Sequence, residues 1–560
     1  MGHQPMASSD GRFHITFNGE IFNFRSIRSR LESEGVRFKS NSDTEVILEG
    51  YARWGAKIVS ELRGMFAFAI WDARDEALFV ARDRLGIKPL YLVGDAKTTL
   101  GFASEVRALL ATGLASREIS AAGVASYLSA GSCQEPLTLL KDITMFEPGT
   151  YALFKNGVLE QQLYWRPALN AAAQTYEEAV EVVRPVLREA IELRLIADVP
   201  VGVFLSGGID SSVIAGIASK KSTTKLHTFN VGFREHQHDE SDYASTFSKE
   251  IGCEHHALTL DAGVAAQRIE EAASAQDQPS ADGVNTFFVA EAVRKAGLTV
   301  ALSGLGGDEL FAGYQNFRFF EAAKWFAGAR PLSRFTASVG RHVPVHSWRR
   351  RLAKATDLLT SAPTGVGAYT ALRAMFDKER IHALLGEVDP RAQSQATDAR
   401  FELLQADPIA EFSALELRNY LKNTLLRDAD VMSMAHGLEV RVPLLDHVLV
   451  ETVLPLQGRF KLDRTMQRNK PLLCDAGLLL SASTSRRRKM GFTLPFEQWF
   501  AGPLRPFVER VIGTLPRGRL VRREAVDVIW REFLEGKINA WRVWCLVSLL
   551  SWCNHHGVPL

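Results

Sequence analysis

Leu205-Ser206-Gly207-Gly208-Ile209-Asp210-Ser211-Ser212 is the stretch on which the reading of this chain turns. An apolar run, Val199 to Leu205, leads into it, and a helical pattern, Ile209 to Ser219, follows. It therefore reads as the turn between a buried strand and a helix. Glycines in such a turn let backbone N–H groups approach an anion, and the helix N-terminus adds a positive end. The hydroxyls of Ser206, Ser211 and Ser212 can donate to phosphate oxygens. Asp210 would repel a phosphate directly, which calls for a bridging Mg²⁺. No lysine follows the glycines, so this is not a Walker-type loop. An ordinary turn would explain two glycines but not the serines and the acid beside them.

The same texture continues on both sides. Glu177 to Leu195 is amphipathic at helical spacing, and three further strand patterns follow: Leu226 to Val231, His256 to Leu260 and Leu298 to Leu302. Between them, Tyr243 to Ile251 and Phe287 to Ala296 read as helices. Strands alternating with helices predict a parallel sheet covered on both faces. A second loop, Ser303-Gly304-Leu305-Gly306-Gly307-Asp308, also follows an apolar run. Ligands of such sheets sit at the carboxyl ends of strands, so both loops can line one crevice, with Asp308 a second carboxylate for the metal. From about Phe317 the pattern is mostly helical.

The first part of the chain is β-rich. Phe13 to Phe17, Gly64 to Asp72, Ala77 to Ala81 and Thr150 to Phe154 read as strands, and Phe24 to Glu34 and Thr44 to Trp54 as helices. Asn18-Gly19 alone would be a hairpin turn. Trp165 to Gln174 reads as a linker. At 560 residues two or three domains are expected, here 1–165 and 176–560. Hydrophobic residues at 46%, charged residues at 23% and a net charge of +2 indicate a globular protein with neither a nucleic-acid nor a membrane surface. Met1 to Arg12 holds no apolar leader pattern, and the five cysteines are scattered without CxxC pairs. A reduced, cytoplasmic enzyme without a zinc or disulfide framework is the expectation.

The glycine-rich loop resembles that of the PP-loop ATP-pyrophosphatases, which grips the part of ATP that leaves as pyrophosphate. Asp430-Val431-Met432-Ser433-Met434-Ala435-His436-Gly437-Leu438-Glu439-Val440-Arg441-Val442-Pro443-Leu444-Leu445-Asp446 is similar to the long signature of asparagine synthetases. Glu439, Arg441 and Asp446 sit among apolar residues there, so paired and partly buried charges are expected. Arg486-Arg487-Arg488-Lys489-Met490-Gly491-Phe492, with Pro495 and Trp499, resembles the family's late basic pattern. The resemblance implies a role for Lys489 on the phosphates and the transition state. It also implies that the backbone at Leu205, Val231, Gly232 and Gly304, with Ser303, holds ATP. The implied reaction adenylates a carboxylate, releasing pyrophosphate, and then lets ammonia displace AMP.

Asn18-Gly19-Glu20-Ile21-Phe22-Asn23, Ser42-Asp43-Thr44-Glu45 and Ala81 to Tyr91 resemble class II glutamine amidotransferase domains. The resemblance implies a truncated Ntn-type αββα domain in front of a PP-loop α/β domain with a helical C-terminal region. Asn18 and Gly19 would form an oxyanion hole, and Glu20 and Asp43 would hold the α-amino group of glutamine. The family's nucleophile is a cysteine at the mature N-terminus. This chain begins Met1-Gly2-His3-Gln4-Pro5-Met6 and has no cysteine before Cys133. The expectation is that the chain as given does not hydrolyse glutamine, whether through an incorrectly assigned start codon or a genuine truncation.

Two departures bear on the acceptor. Leu305 stands where many asparagine synthetases carry Glu, and Gln278 where Glu is usual. Leucine neither accepts a proton nor orients an amine. Two readings stay open: an acceptor other than aspartate, such as a carboxylate on a sugar or secondary metabolite, or variation within a broad family. A ligase forming a different bond, as in β-lactam synthetases, is a further reading, though their Tyr–Glu pair is not placed here. A degenerate binding protein is another. Partners implied are ATP, Mg²⁺, a carboxylate acceptor and ammonia or glutamine, with a homodimer allowed.

Overall fold

The structure is a computed structural model and describes residues 2–94, 100–167, 169, 173–222, 225–233, 241–260, 262–326, 364–387, 404, 406–477, 494–516 and 520–560. Fourteen strands occur among them. They are β1 Met6–Ala7, β2 Phe13–Ile21, β3 Gly64–Asp72, β4 Ala77–Arg82, β5 Tyr91–Gly94, β6 Leu100–Ala103, β7 Ile143–Met145, β8 Thr150–Lys155, β9 Val158–Leu163, β10 Val201–Phe204, β11 His227–Phe233, β12 Glu254–Leu260, β13 Val300–Leu302 and β14 Glu439–Arg441.

An antiparallel sheet in the order β1-β2-β3-β4-β8-β9 builds the first part. Its inner face packs on the helices Phe24–Ser33 and Asp43–Trp54 through Ile15, Ile27, Leu31, Ile47, Phe66 and Phe68. A small sheet, β6-β5-β7, lies beside it. Asn18-Gly19 is not a turn: both residues lie inside β2, with Asn18 opposite Ala67 and Gly19 opposite Phe66. Gly19 has φ +150°, and a Cβ there would stand 2.1 Å from the Met65 carbonyl oxygen. Only glycine lets the two strands approach so closely. The actual turn lies at Asn156-Gly157, both at positive φ, between β8 and β9.

The second sheet is wholly parallel, in the order β12-β11-β10-β13-β14. Reversal of direction around β10 makes the ends of β10 and β13 the place where a crevice opens. Helices Tyr176–Leu193 and Ile209–Lys221 cover it, the first opened by a capping box of Thr175 and Glu178. The region after Phe317 is mostly helical among the described residues, but β14 departs from that expectation. Its three residues, Glu439-Val440-Arg441, carry no apolar run long enough to read as a strand. No described helix is long and apolar enough to cross a membrane.

The two parts are joined through charged side chains. Arg63 forks onto Asp446 with two 2.9 Å bonds, and Arg194 also donates to Asp446. Lys88 Nζ lies 2.7 Å from Asp430 Oδ1. Glu135 accepts from Arg82 at 2.8 Å and from Lys422 at 2.6 Å, all three buried. The helix Ala121–Ala130 packs into one core with the C-terminal helix Ala540–His556, and Tyr127 donates to the Cys545 carbonyl at 2.6 Å.

Candidate active site

The glycine-rich loop leaves the end of β10 and enters the helix Ile209–Lys221 with Gly208 at its N-cap. Leu205 extends the sheet by one bond, its N–H donating to the Phe229 carbonyl at 2.7 Å. Gly207 turns the chain at φ +71°. The Gly208 N–H lies 3.3 Å from Ser206 Oγ, which stands 3.2 Å from Ser211 Oγ. Ser211 donates to the Gly208 carbonyl at 3.1 Å, while the Ser212 hydroxyl is buried with no hydrogen-bond partner among the described residues. The first helical turn thus gathers hydroxyls and backbone N–H groups around a positive helix end, which fits a phosphate.

The second loop follows β13. Ser303 donates its N–H to the Arg441 carbonyl at 2.9 Å, carrying the ladder beyond β14. Gly304 and Gly307 press against Asp210: a Cβ at Gly304 would stand 2.9 Å from Asp210 Cβ, and one at Gly307 2.2 Å from Asp210 Oδ1. The backbone of one loop therefore rests on the acid of the other. Val231 and Gly232 lie near the end of the neighbouring strand β11. The expected ATP-contacting positions therefore fall at the ends of three adjacent strands.

Asp210 and Asp308 converge on a residue that sequence reasoning missed. Lys470 donates to Asp210 and lies 2.5 Å from Asp308 Oδ1, and its side chain is almost wholly buried. It stands at φ +48°, in the left-handed region that a lysine rarely adopts. A Cβ at Gly313 would meet both Asp308 Oδ1 at 2.0 Å and Lys470 Cε at 2.3 Å. The only signal in the sequence is a lysine between Asn469 and Pro471, which does not point to a partner 260 positions away. Two carboxylate oxygens meeting at one point also suit a hard, oxygen-seeking cation such as Mg²⁺. Lys489 and the rest of its basic cluster lie outside the described residues.

Beneath the second loop sits a buried polar cluster. Tyr314 donates to Glu309 Oε1 at 2.6 Å, and burial, reinforced by neighbouring Asp308, pushes the Glu309 carboxyl up to about 7. Arg373 forks onto Glu416 at 2.7 and 2.5 Å and lies over the rings of Tyr314 and Tyr420. Leu305 is half-buried against the apolar core. Gln278 is elsewhere: it accepts from the Leu139 N–H and donates to the Tyr91 hydroxyl, both at 3.2 Å. Its neutral amide is engaged at the junction of the two parts of the chain.

In the first part, Asn18 Nδ2 donates to Ser104 Oγ at 2.9 Å, and Asp43 accepts the Ile21 N–H at 3.0 Å. Glu20 lies 3.3 Å from Arg441, yet burial outweighs that cation and pushes its carboxyl up to about 7. Glu20 and Asp43 are thus brought together with Asn18 and Gly19 on one strand and the adjoining helix start. The cysteines give no poised thiolate. Burial pushes Cys133, Cys474, Cys545 and Cys553 up to about 12, and Cys253 up to about 11. The paired charges expected at Glu439, Arg441 and Asp446 are present: Arg441 Nε lies 2.6 Å from Glu439, and Asp446 binds Arg63 and Arg194.

Comparison with known proteins shows the family. The asparagine synthase family model matches residues 182–554, and the glutamine amidotransferase domain model matches residues 1–165. The chain belongs to the asparagine synthase family, a family of carbon–nitrogen ligases. It is 29% identical to asparagine synthetase [glutamine-hydrolyzing] 1 of Bacillus subtilis, over 98% of this chain and 87% of that protein. To asparagine synthetase [glutamine-hydrolyzing] 3 of the same organism it is 30% identical, over 82% and 72%. To the amidase chyE of Penicillium rubens it is 29% identical, over 91% and 81%.

Proposed function

We propose that this chain uses ATP to activate a carboxylate as an acyl-adenylate, releases pyrophosphate, and forms an amide from ammonia. One observation carries the reading: two glycine-rich loops on neighbouring parallel strands bring Asp210 and Asp308 together on Lys470 beside a helix N-terminus. The backbone at Leu205, Gly207, Gly208, Val231, Gly232 and Gly304, with the hydroxyls of Ser206, Ser211, Ser212 and Ser303, would hold the nucleotide. Asp210 and Asp308 would hold Mg²⁺, which would neutralise the leaving pyrophosphate oxygens. Lys470 supplies a fixed cation at the same place, and Lys489 is proposed as a second one for charge developing on the α-phosphorus.

A carboxylate oxygen of the acceptor attacks the α-phosphorus, and the bond to the β-phosphate oxygen breaks. Ammonia then attacks the acyl carbon, AMP leaves, and the nitrogen loses a proton. Asn18, Gly19, Glu20 and Asp43 are retained as the glutamine-facing set, while a cytoplasmic, homodimeric protein is the expectation by family. Leu305 favours a second reading, in which the acceptor is a carboxylate other than aspartate. Similarity to an amidase of Penicillium rubens supports the same reading.

Pyrophosphate release from Mg-ATP with aspartate, run with ammonium and with glutamine, tests both. Pyrophosphate, AMP and asparagine with ammonium but not with glutamine is the expected outcome. Pyrophosphate only with other carboxylates would install the second reading, and none with any carboxylate would overturn the assignment.

A further inference from the structure

Two histidines and a glutamate meet on the parallel sheet at the opposite end from the glycine-rich loops. β11 and β12 are paired so that His227 stands opposite Glu254 and Phe229 opposite His256. Side chains alternate between faces along each strand, which puts His227, Glu254 and His256 on one face. Thr228 and His255 point to the other, where Thr228 Oγ1 lies 3.0 Å from both Ser248 Oγ and His255 Nδ1. His227 Nδ1 stands 3.1 Å from His256 Nε2, and Glu254 Oε1 lies 3.6 Å from the latter and 4.0 Å from the former.

These spacings have a chemical meaning. A tetrahedral centre with bonds of roughly 2.0–2.1 Å sets its ligand atoms about 3.3 Å apart. The nitrogen pair already meets that distance, and a small rotation of the Glu254 carboxylate brings the oxygen in. The His256 ring is clamped in place: Phe229 stacks on it at 4.6 Å and His227 at 5.4 Å between centroids. All three ligands remain partly exposed, so solvent reaches a fourth position. Two imidazoles and one carboxylate form a donor set suited to zinc and its neighbours rather than to Mg²⁺ or Ca²⁺.

We infer that His227, Glu254 and His256 form a site for one divalent transition-metal ion, zinc by its donor set, that fastens the edge strand β12 to β11. Among the described residues β12 has no strand on its outer side, and a shared ion is one way to hold such an edge. The site lies at the starts of the strands, whereas the phosphate loops lie at their ends, so the ion acts on stability rather than on the ligase chemistry.

The test uses the full chain, stripped with a chelator, dialysed and titrated with Zn²⁺ by calorimetry, with melting followed in parallel. One Zn²⁺ per chain and a higher melting temperature are expected. His227→Ala and His256→Ala should each bind about tenfold or more weakly and lose the melting shift, because a ligand is gone. His255→Ala, altered on the other face, should keep both. Co²⁺ should give visible d–d absorption in the parent chain that His256→Ala removes. Failure of the parent to bind Zn²⁺, or binding that survives in both ligand variants, would mean the pair is a hydrogen-bonded His–His contact only.

Discussion

Lys470 joins two acids that the chain brings from separate strand ends, and its removal should be felt twice. Lys470→Met leaves Asp210 and Asp308 facing each other with little water, a cost of about 3–5 kcal/mol for breaking a buried pair. Mg²⁺ should restore part of that loss, so the ion should raise the melting temperature of the variant more than that of the parent. Equal shifts would show that the two acids do not share a cation. Glu309 offers a test through pH. Its folded carboxyl titrates at about 7 against an ordinary 4.5. The folded chain keeps a proton there that the unfolded chain has released. That contribution is fully present below about 4.5 and is lost as pH rises through about 7. Glu309→Gln should therefore gain stability relative to the parent between pH 5 and pH 8 in urea melts. An unchanged difference would place the group's titration elsewhere.

Elements were legible in the sequence wherever pattern and length agreed. The strand, loop and helix from Val199 to Ser219 appear within two residues of their expected ends, as Val201–Phe204 and Ile209–Lys221. Apolar runs flanked by glycine say both where backbone is buried and where it turns. β14 was not legible, because three residues are too few for an alternation of charge and apolarity to stand out. Lys470 was not legible either, since its meaning lies in Asp308 and in Asp210, the latter 260 positions distant, and in a loop conformation that propensity does not encode. At Asn18-Gly19 a strong local turn signal, set aside by the motifs around it, is overruled by pairing across the whole of β2 and β3. Gly19→Ala tests that pairing. The new methyl would meet backbone rather than a flexible side chain, at a φ of +150°. A loss of about 1–3 kcal/mol is expected, with faster hydrogen exchange confined to β2 and β3. No loss would mean the two strands can part without cost.

Across the molecule, buried charges join the two parts. The Glu135 side chain is almost fully buried, but Arg82 and Lys422 more than offset burial and draw its carboxyl down to about 2. Its contribution is present above about 4.5 and disappears as pH falls through about 2. Glu135→Gln should cost about 3–5 kcal/mol at neutral pH, because two cations are left with a neutral neighbour. Limited proteolysis should then separate the parts sooner than in the parent; an unchanged digestion pattern would show that apolar packing alone holds them together.

β14 carries one more consequence, for the order in which the protein is made. The ribosome releases β10 to β13 well before Glu439 to Arg441 exist, and until then the outer side of β13 is an open edge that can recruit foreign strands. A fragment ending at Gly437, just before β14, should be insoluble rather than a minimal ATP-binding unit.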